Sequence, residues 1–388
     1  MPEDTNGSRR IFLKGSATAL AAGLAGCTGI TNDITGGGGG GGSSGEDPLL
    51  ADDSAFDPEA PNWSENNYLS APLIESGFER GTQADLERMG NRDVEEVPHG
   101  DPVREPPEDD SEYLDPDTLV FTESPSEDVE GRYEEDFQAV FDRIEEETGK
   151  PVEYNRVNSY AASVEAMRSE RAHIANFSTG TTAFAVNLAG AVPFTAGIAP
   201  DGAFGYRLFA TTRADAGDVQ SIEDFADDDV RIAHAEPASN SGHQAPSALF
   251  DQQFDVTAGE DYEVNFSGGH SQTTRGIAAG DYDAGPICST CFKDTVEGDS
   301  NLSFEDFKVV WASDPFPNGP VAYRYNLHPD IVEGIEAAWL DSDFSDTAYA
   351  ERTGYSEYVP IEYRKHWYNI MVIQRYNGVE YTETALSE

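Results

Sequence analysis

Between Thr118 and Trp311 the apolar residues alternate between two spacings, and each change of spacing marks a new element. Thr118-Leu119-Val120-Phe121-Thr122 reads as a short strand, after which Phe137, Val140, Phe141 and Ile144 fall at the i, i+3, i+4, i+7 positions of one helix face. Gly149-Lys150-Pro151 stops that helix, because glycine accepts the left-handed turn and proline cannot continue the ladder. Residues 152–157 then read as a strand, 159–168 as a helix, 174–177 as a strand and 181–189 as a helix. A second series follows after residues 206–211: a helix near 222–225, a strand at 230–235, a helix starting near Gly242, and strands at 262–266, 282–286 and 307–311. Alternating strands and helices are βαβ grammar, so the chain is expected to be α/β with two lobes. A ligand is expected where strand ends and helix starts converge between them.

Ahead of this body stands a different kind of segment. Ser8-Arg9-Arg10-Ile11-Phe12-Leu13-Lys14 precedes a small-residue apolar run, Gly15 to Leu24, closed by Leu24-Ala25-Gly26-Cys27. Paired arginines before a short hydrophobic stretch read as a twin-arginine export signal. The run is well short of the ~20 apolar residues that a spanning helix requires. Its ending resembles a lipobox, in which Cys27 becomes the new terminus and carries lipid. Gly36 to Gly42 with Ser43, Ser44 and Gly45 would then be a flexible tether. Residues 46–115 are acidic and rich in proline, broken most clearly at Pro106-Pro107-Glu108-Asp109-Asp110, and carry no assigned role. Asn-x-Ser sequons at Asn62, Asn176, Asn265 and Asn301 are compatible with export.

Charge narrows the function classes. In 388 residues, 24 Lys+Arg face 73 Asp+Glu, a formal net charge of -49. A nucleic-acid binder relying on a basic surface is thereby excluded. The acidity is spread along the chain, and lysine occurs only at 14, 150, 293, 308 and 365. At about 1 M salt the Debye length is only ~3 Å, so such a chain would cease to repel itself, as expected of a halophile's protein.

Two strand-to-helix junctions carry candidate chemistry. Ser239-Asn240-Ser241-Gly242 offers hydroxyls, an amide and the unpaired N–H groups of a helix start, which together suit an oxyanion without any cationic side chain. The same residues are ordinary helix caps. Gly268-Gly269-His270-Ser271 adds an imidazole on a backbone that permits close approach.

Ser159-Tyr160-Ala161-Ala162-Ser163-Val164-Glu165-Ala166-Met167, followed by Ala172-His173-Ile174-Ala175-Asn176-Phe177, resembles a segment of the phosphate, phosphite and phosphonate substrate-binding proteins of ABC importers. Gly205-Tyr206, Ser239 to Gly242, Gly269-His270, Asp283 and Pro317-Asn318-Gly319-Pro320-Val321-Ala322 fall in that family's order, so the likeness covers residues 118–365. It implies a type II periplasmic-binding-protein fold, each lobe a mixed sheet flanked by helices, with two crossover strands as hinge. The implied domains are a signal at 1–27, a tether at 28–45, the extension at 46–115, lobe 1 at 116–207, lobe 2 at 208–311, and a return to lobe 1 with the C-terminal helices at 312–388. Tyr160 and Tyr206 would supply phenol hydroxyls from the first lobe; Ser239, Asn240, Ser241 and His270 would form the cradle of the second. Thr290 and Gly319 stand where members that bind aminoalkyl phosphonates carry carboxylates, which disfavours an amine-bearing guest. The expected guest is a small phosphorus oxyanion and the expected partners are a permease and an ATPase. The protein is expected to be a monomer on the outer face of the cytoplasmic membrane, anchored by lipid, with no cofactor or metal.

Cys288-Ser289-Thr290-Cys291 is compatible with a disulfide in an exported chain, and one CxxC supplies only two ligands for zinc. Trp367, Tyr368, Tyr376 and Tyr381 read as lobe packing. Two other functions remain open to the residues alone. A hydrolase could use Ser241 and His270, although neither a G-x-S-x-G elbow nor an HExxH helix is present, and a sensor or surface protein could share the fold.

Overall fold

The computed structural model describes residues 56–124 and 134–387, apart from 59, 64 and 65. The twin-arginine segment, Cys27 and the 36–45 spacer lie outside the described residues. In chain order the strands are β1 (Tyr68–Leu69), β2 (Leu119–Glu123), β3 (Val152–Tyr154), β4 (Ile174–Asn176), β5 (Ala191–Ile198), β6 (Leu208–Arg213), β7 (Ala233–His234), β8 (Asn265–Phe266), β9 (Ala284–Cys288), β10 (Phe307–Ala312), β11 (Val321–Arg324) and β12 (Glu357–Pro360).

One sheet has the order β12-β5-β11-β4-β2-β3. Its β3, β2 and β4 are parallel, while β11 runs antiparallel to both β4 and β5. Helix Gln138–Thr148 buries the predicted Val140, Phe141 and Ile144 against β2 and helix Pro329–Leu340. It ends at Gly149, whose φ of 69° lets its N–H return to Glu145 O. Helix Tyr160–Arg168 covers the other face through Val164 and Met167. The second sheet has the order β1-β10-β6-β9, and a bridge from Ile232 to Ala284 adds the parallel pair β7-β8 beside β9. Both sheets are mixed and flanked by helices, as expected.

The strand β5 escapes a reading by pattern. Pro193 and Gly197 interrupt it, and proline cannot donate to a ladder; β11 pairs with 191–195 and β12 only with 195–198, so Pro193 has a ladder neighbour on one side. The ladder accommodates Pro193 with a register shift between Val321 and Ala322 on the neighbouring strand.

Two segments cross between the sheets, 199–207 and 313–320, and they pair where Tyr206 N–H donates to Phe316 O (3.1 Å) and Phe316 N–H donates to Tyr206 O (2.8 Å). The acidic extension supplies a third ply. Gly81 and Phe204 exchange both backbone hydrogen bonds (2.8 and 3.0 Å), and Arg207 N–H donates to Glu79 O (3.2 Å). A Cβ at Gly81 would lie 2.6 Å from Phe204 Cε1, so only glycine fits this contact without movement. The same extension adds β1 to the second sheet and, at Leu114, pairs with Asn326 and His328 beside the first. The C-terminal helices also serve both lobes. Tyr368–Tyr376 packs on Ala245–Phe254 of the second lobe, whereas Glu383–Ser387 packs on Tyr160–Arg168 of the first. Of the late aromatic cluster, Trp367 is fully buried and Tyr376 is exposed.

Phe78 fastens the extension: it is buried, stacks on Phe209 and lies under the Arg207 guanidinium, whose Cζ is 4.3 Å from the ring centroid. Phe78→Ala should therefore destabilise the protein by about 3–5 kcal/mol, read from denaturant midpoints in molar salt. A loss below about 1 kcal/mol would show that the extension is not part of the cooperative fold.

Candidate functional site

The facing ends of the two sheets enclose a cavity of about 1040 Å³. All six residues named from the sequence line it: Tyr160, Tyr206, Ser239, Asn240, Ser241 and His270, each no more than 9% exposed. Local chemistry places them. Ser159 caps helix Tyr160–Arg168 by accepting from Ala162 N–H (3.1 Å), which puts Tyr160 on its first turn. Ser239 caps the π-helical turn Asn240–Gln244 that runs into helix Ala245–Phe254. His270 is the first residue of helix His270–Ala279.

A short chain of hydrogen bonds fixes the polarity of this wall. Cys288 N–H donates to His270 Nδ1 (3.2 Å), so the ring proton sits on Nε2. Nε2 lies 3.2 Å from Ser239 Oγ and donates to it; Gly242 N–H donates to the same oxygen (3.2 Å). With both lone pairs engaged, the Ser239 hydroxyl has only its proton left to offer the cavity. Gly242 is required for this packing, since a Cβ there would lie 2.5 Å from Ala235 Cβ and 2.8 Å from His270 Cε1. Of the N–H groups that a helix start leaves without an intrahelical acceptor, Gly242 is satisfied by Ser239 Oγ, and those of Asn240 and Ser241 are the ones a guest can use.

Asn240 Nδ2 donates to Tyr206 Oη (3.2 Å), while its Oδ1 is buried with no partner among the described residues. Rotating the amide would place Oδ1 on the tyrosine proton and turn the NH₂ toward the guest. In either arrangement the Asn240–Tyr206 pair presents a donor.

Cys288 and Cys291 are joined as a disulfide, with Cα atoms 5.2 Å apart, across the first turn of helix Ser289–Gly298. Their sulfurs and a His270 nitrogen lie within 4.8 Å of one another, but a disulfide withdraws both thiolates from metal ligation. Thr290 lines the cavity beside them, and Asp283 is engaged by Arg231 at 2.9 Å. At Gly319, a Cβ would collide with the Phe177 carbonyl, so no side chain can reach the cavity from that position.

A family model for the periplasmic substrate-binding protein of phosphonate ABC transporters matches residues 121–368. The chain belongs to this family. Its members bind solute outside the cytoplasm for an ABC importer and are not enzymes. A similar protein, the phosphate-import protein PhnD of Mycolicibacterium smegmatis, is 28% identical over 233 residues, 57% of this chain and 70% of the relative. Among solved structures, the binding component of an ABC phosphonate transporter from Pseudomonas aeruginosa is 17% identical with a TM-score of 0.59, covering 67% of this chain and 87% of that one. PhnD1 of Prochlorococcus marinus, in complex with methylphosphonate, is 16% identical with a TM-score of 0.55, covering 68% and 99% respectively. These neighbours share the type II periplasmic-binding-protein fold.

Sequence reasoning missed several groups on the wall of this binding protein's cavity. Ser178, Thr179 and Gly180 form another strand-to-helix junction, legible by the same grammar as the Ser239 loop. Gly180 approaches the second lobe so closely that a Cβ would lie 2.9 Å from Asn240 N. Arg80, Arg352 and Glu123 also line the cavity, so its walls are not wholly neutral.

Burial pushes the His270 imidazole down from 6.5 to about 3, and His243 to about 4. The unfolded chain takes up these protons below pH 6.5 and the native fold does not, so their contribution is fully present above that value and is lost as pH falls toward 3. His270→Gln should flatten the fall of the denaturation midpoint between pH 6.5 and 4 relative to the parent protein. An unchanged slope would show that His270 is not held neutral.

Proposed function

We propose that the cradle captures a small phosphorus oxyanion, phosphate, phosphite or a simple phosphonate, through uncharged donors. The observation that carries this reading is the bond chain from Cys288 N–H through His270 to Ser239, which leaves a hydroxyl proton and two helix-start N–H groups on one buried wall. The binding of methylphosphonate by PhnD1 and the phosphate-import role of the mycobacterial relative are consistent with it.

Magnitudes support the same reading. Hydrogen bonds to a charged group contribute ~1.5–3 kcal/mol each, and micromolar binding requires ~8 kcal/mol net of association costs. Five or six donors reach that without a cation at the cradle. The net charge of -49 opposes an anion at long range, and molar salt screens it to a few ångströms. Short-range donors then decide affinity.

Capture involves no chemistry. Tyr160 is held by the first lobe, Tyr206 by the crossing segment, and Ser239 and Ser241 by the second, with His270 orienting the Ser239 hydroxyl, so an oxyanion bonded to these hydroxyls favours the closed arrangement. The guest is then presented to a membrane permease energised by an ATPase. The protein acts as a monomer exported by the twin-arginine signal, lipid-anchored through Cys27 and working in concentrated salt. The Gly-rich spacer supplies the reach from the membrane.

Calorimetry in molar KCl tests this reading. Phosphate or methylphosphonate should bind in the micromolar range, and Ser239→Ala should weaken binding at least tenfold, about 1.4 kcal/mol or more. Equal affinity in the parent and variant would remove the cradle.

A further inference from the structure

The cavity has more room and more charge than a lone phosphate uses. Its volume, about 1040 Å³, is at the upper end of the ~300–1,000 Å³ of pockets that bury drug-sized ligands. Away from the cradle, two arginines from distant parts of the chain share its wall. Arg80 belongs to the extension and lies along the third ply of the hinge. Its guanidinium is 4.9 Å from the Tyr355 ring centroid, and a Cβ at Gly354 would lie 2.9 Å from its Nη2. Arg352 stands two residues before Gly354, on helix Ala348–Thr353.

These guanidiniums differ from the other cations of the cavity. Lys293 is paired with Glu79 (3.0 Å) and Arg275 with Asp299 (3.4 Å). Arg80 Nη1 and Arg352 Nη2 are buried with no acceptor among the described residues. Buried charged groups are normally paired, because desolvation without a partner is costly. A buried nitrogen left without an acceptor among the described residues on each of two guanidiniums, both on one cavity wall, suits an acceptor supplied by a guest. Glu123 lines the same cavity, and its carboxylate is engaged by the Asn176 amide at 3.5 Å.

Resting on the reading that the cradle holds the phosphorus group, we propose that Arg80 and Arg352 form a second oxyanion subsite. The favoured guest is an organic phosphonate or phosphate ester that carries a further anionic group, such as a carboxylate. The planar forks of two arginines match a carboxylate or phosphate edge in a way a single ammonium does not. The phosphorus head bonds the uncharged donors while the distal anion bonds the arginines, so one molecule spans the cavity.

The test is calorimetry in molar KCl with methylphosphonate, propylphosphonate, 3-phosphonopropionate and 2-aminoethylphosphonate, on the parent protein, Arg352→Gln, Arg80→Gln and Arg80→Lys. The carboxylate-bearing compound should bind at least tenfold more tightly than propylphosphonate. Arg352→Gln should erase most of that advantage while shifting methylphosphonate affinity less than threefold, and Arg80→Lys should retain part of what Arg80→Gln loses. Circular dichroism establishes that each variant folds; if Arg80→Gln does not, the Arg352 comparison decides. Equal binding of the carboxylate and propyl compounds, an equal loss for every ligand in Arg352→Gln, or tightest binding of the amine would overturn the subsite and leave the cradle standing. Failure of all four compounds to bind the parent protein would overturn the cradle and the subsite together.

Discussion

The site depends on one backbone donor, the N–H of Cys288, which determines which nitrogen of His270 carries the proton. With Nδ1 engaged as an acceptor, Nε2 must donate, and Ser239 Oγ must receive it. Polarity thus passes from a strand end, through an imidazole, to a hydroxyl facing the cavity. Burial keeps the ring neutral, so this direction does not reverse at ordinary pH. An acid-rich chain thereby presents a hydroxyl proton, rather than a carboxylate, at this wall. On the proposed reading, selectivity would come from where protons point, because salt does not screen contacts at hydrogen-bond distance in a buried cleft as it does charges on the surface.

Around this centre the fold supplies donors by one repeated device, a strand that ends at the cavity and a helix that begins there. Tyr160, Ser239 and His270 each follow that geometry. The device explains why these residues were legible in the sequence: caps, glycines and a change of hydrophobic period mark each junction locally. The same marks are present at Ser178-Thr179-Gly180, which escaped notice because its short helix reads as ordinary apolar packing.

What the sequence concealed has physical causes. β5 carries Pro193 inside its ladder with β11, on the stretch that β12 does not pair, a placement that local propensity argues against and that the neighbouring register shift permits. Arg80 and Arg352 are far apart in the chain and meet at the cavity only because the extension runs beside the hinge, a long-range packing event without periodic signature. The division of the C-terminal helices between both lobes is of the same kind: Tyr368–Tyr376 buries its apolar face on the second lobe's core, a surface that exists only once that lobe has formed.

The ply of residues 78–81 has a mechanical meaning. Two crossing segments alone would bend as a narrow strap, but a third strand hydrogen-bonded alongside makes that strap a ribbon, stiffer in its own plane than across it. Swinging is channelled toward one axis and sideways shear is resisted. A receptor hinged on such a ribbon would bring its two jaws back to the same register after each opening.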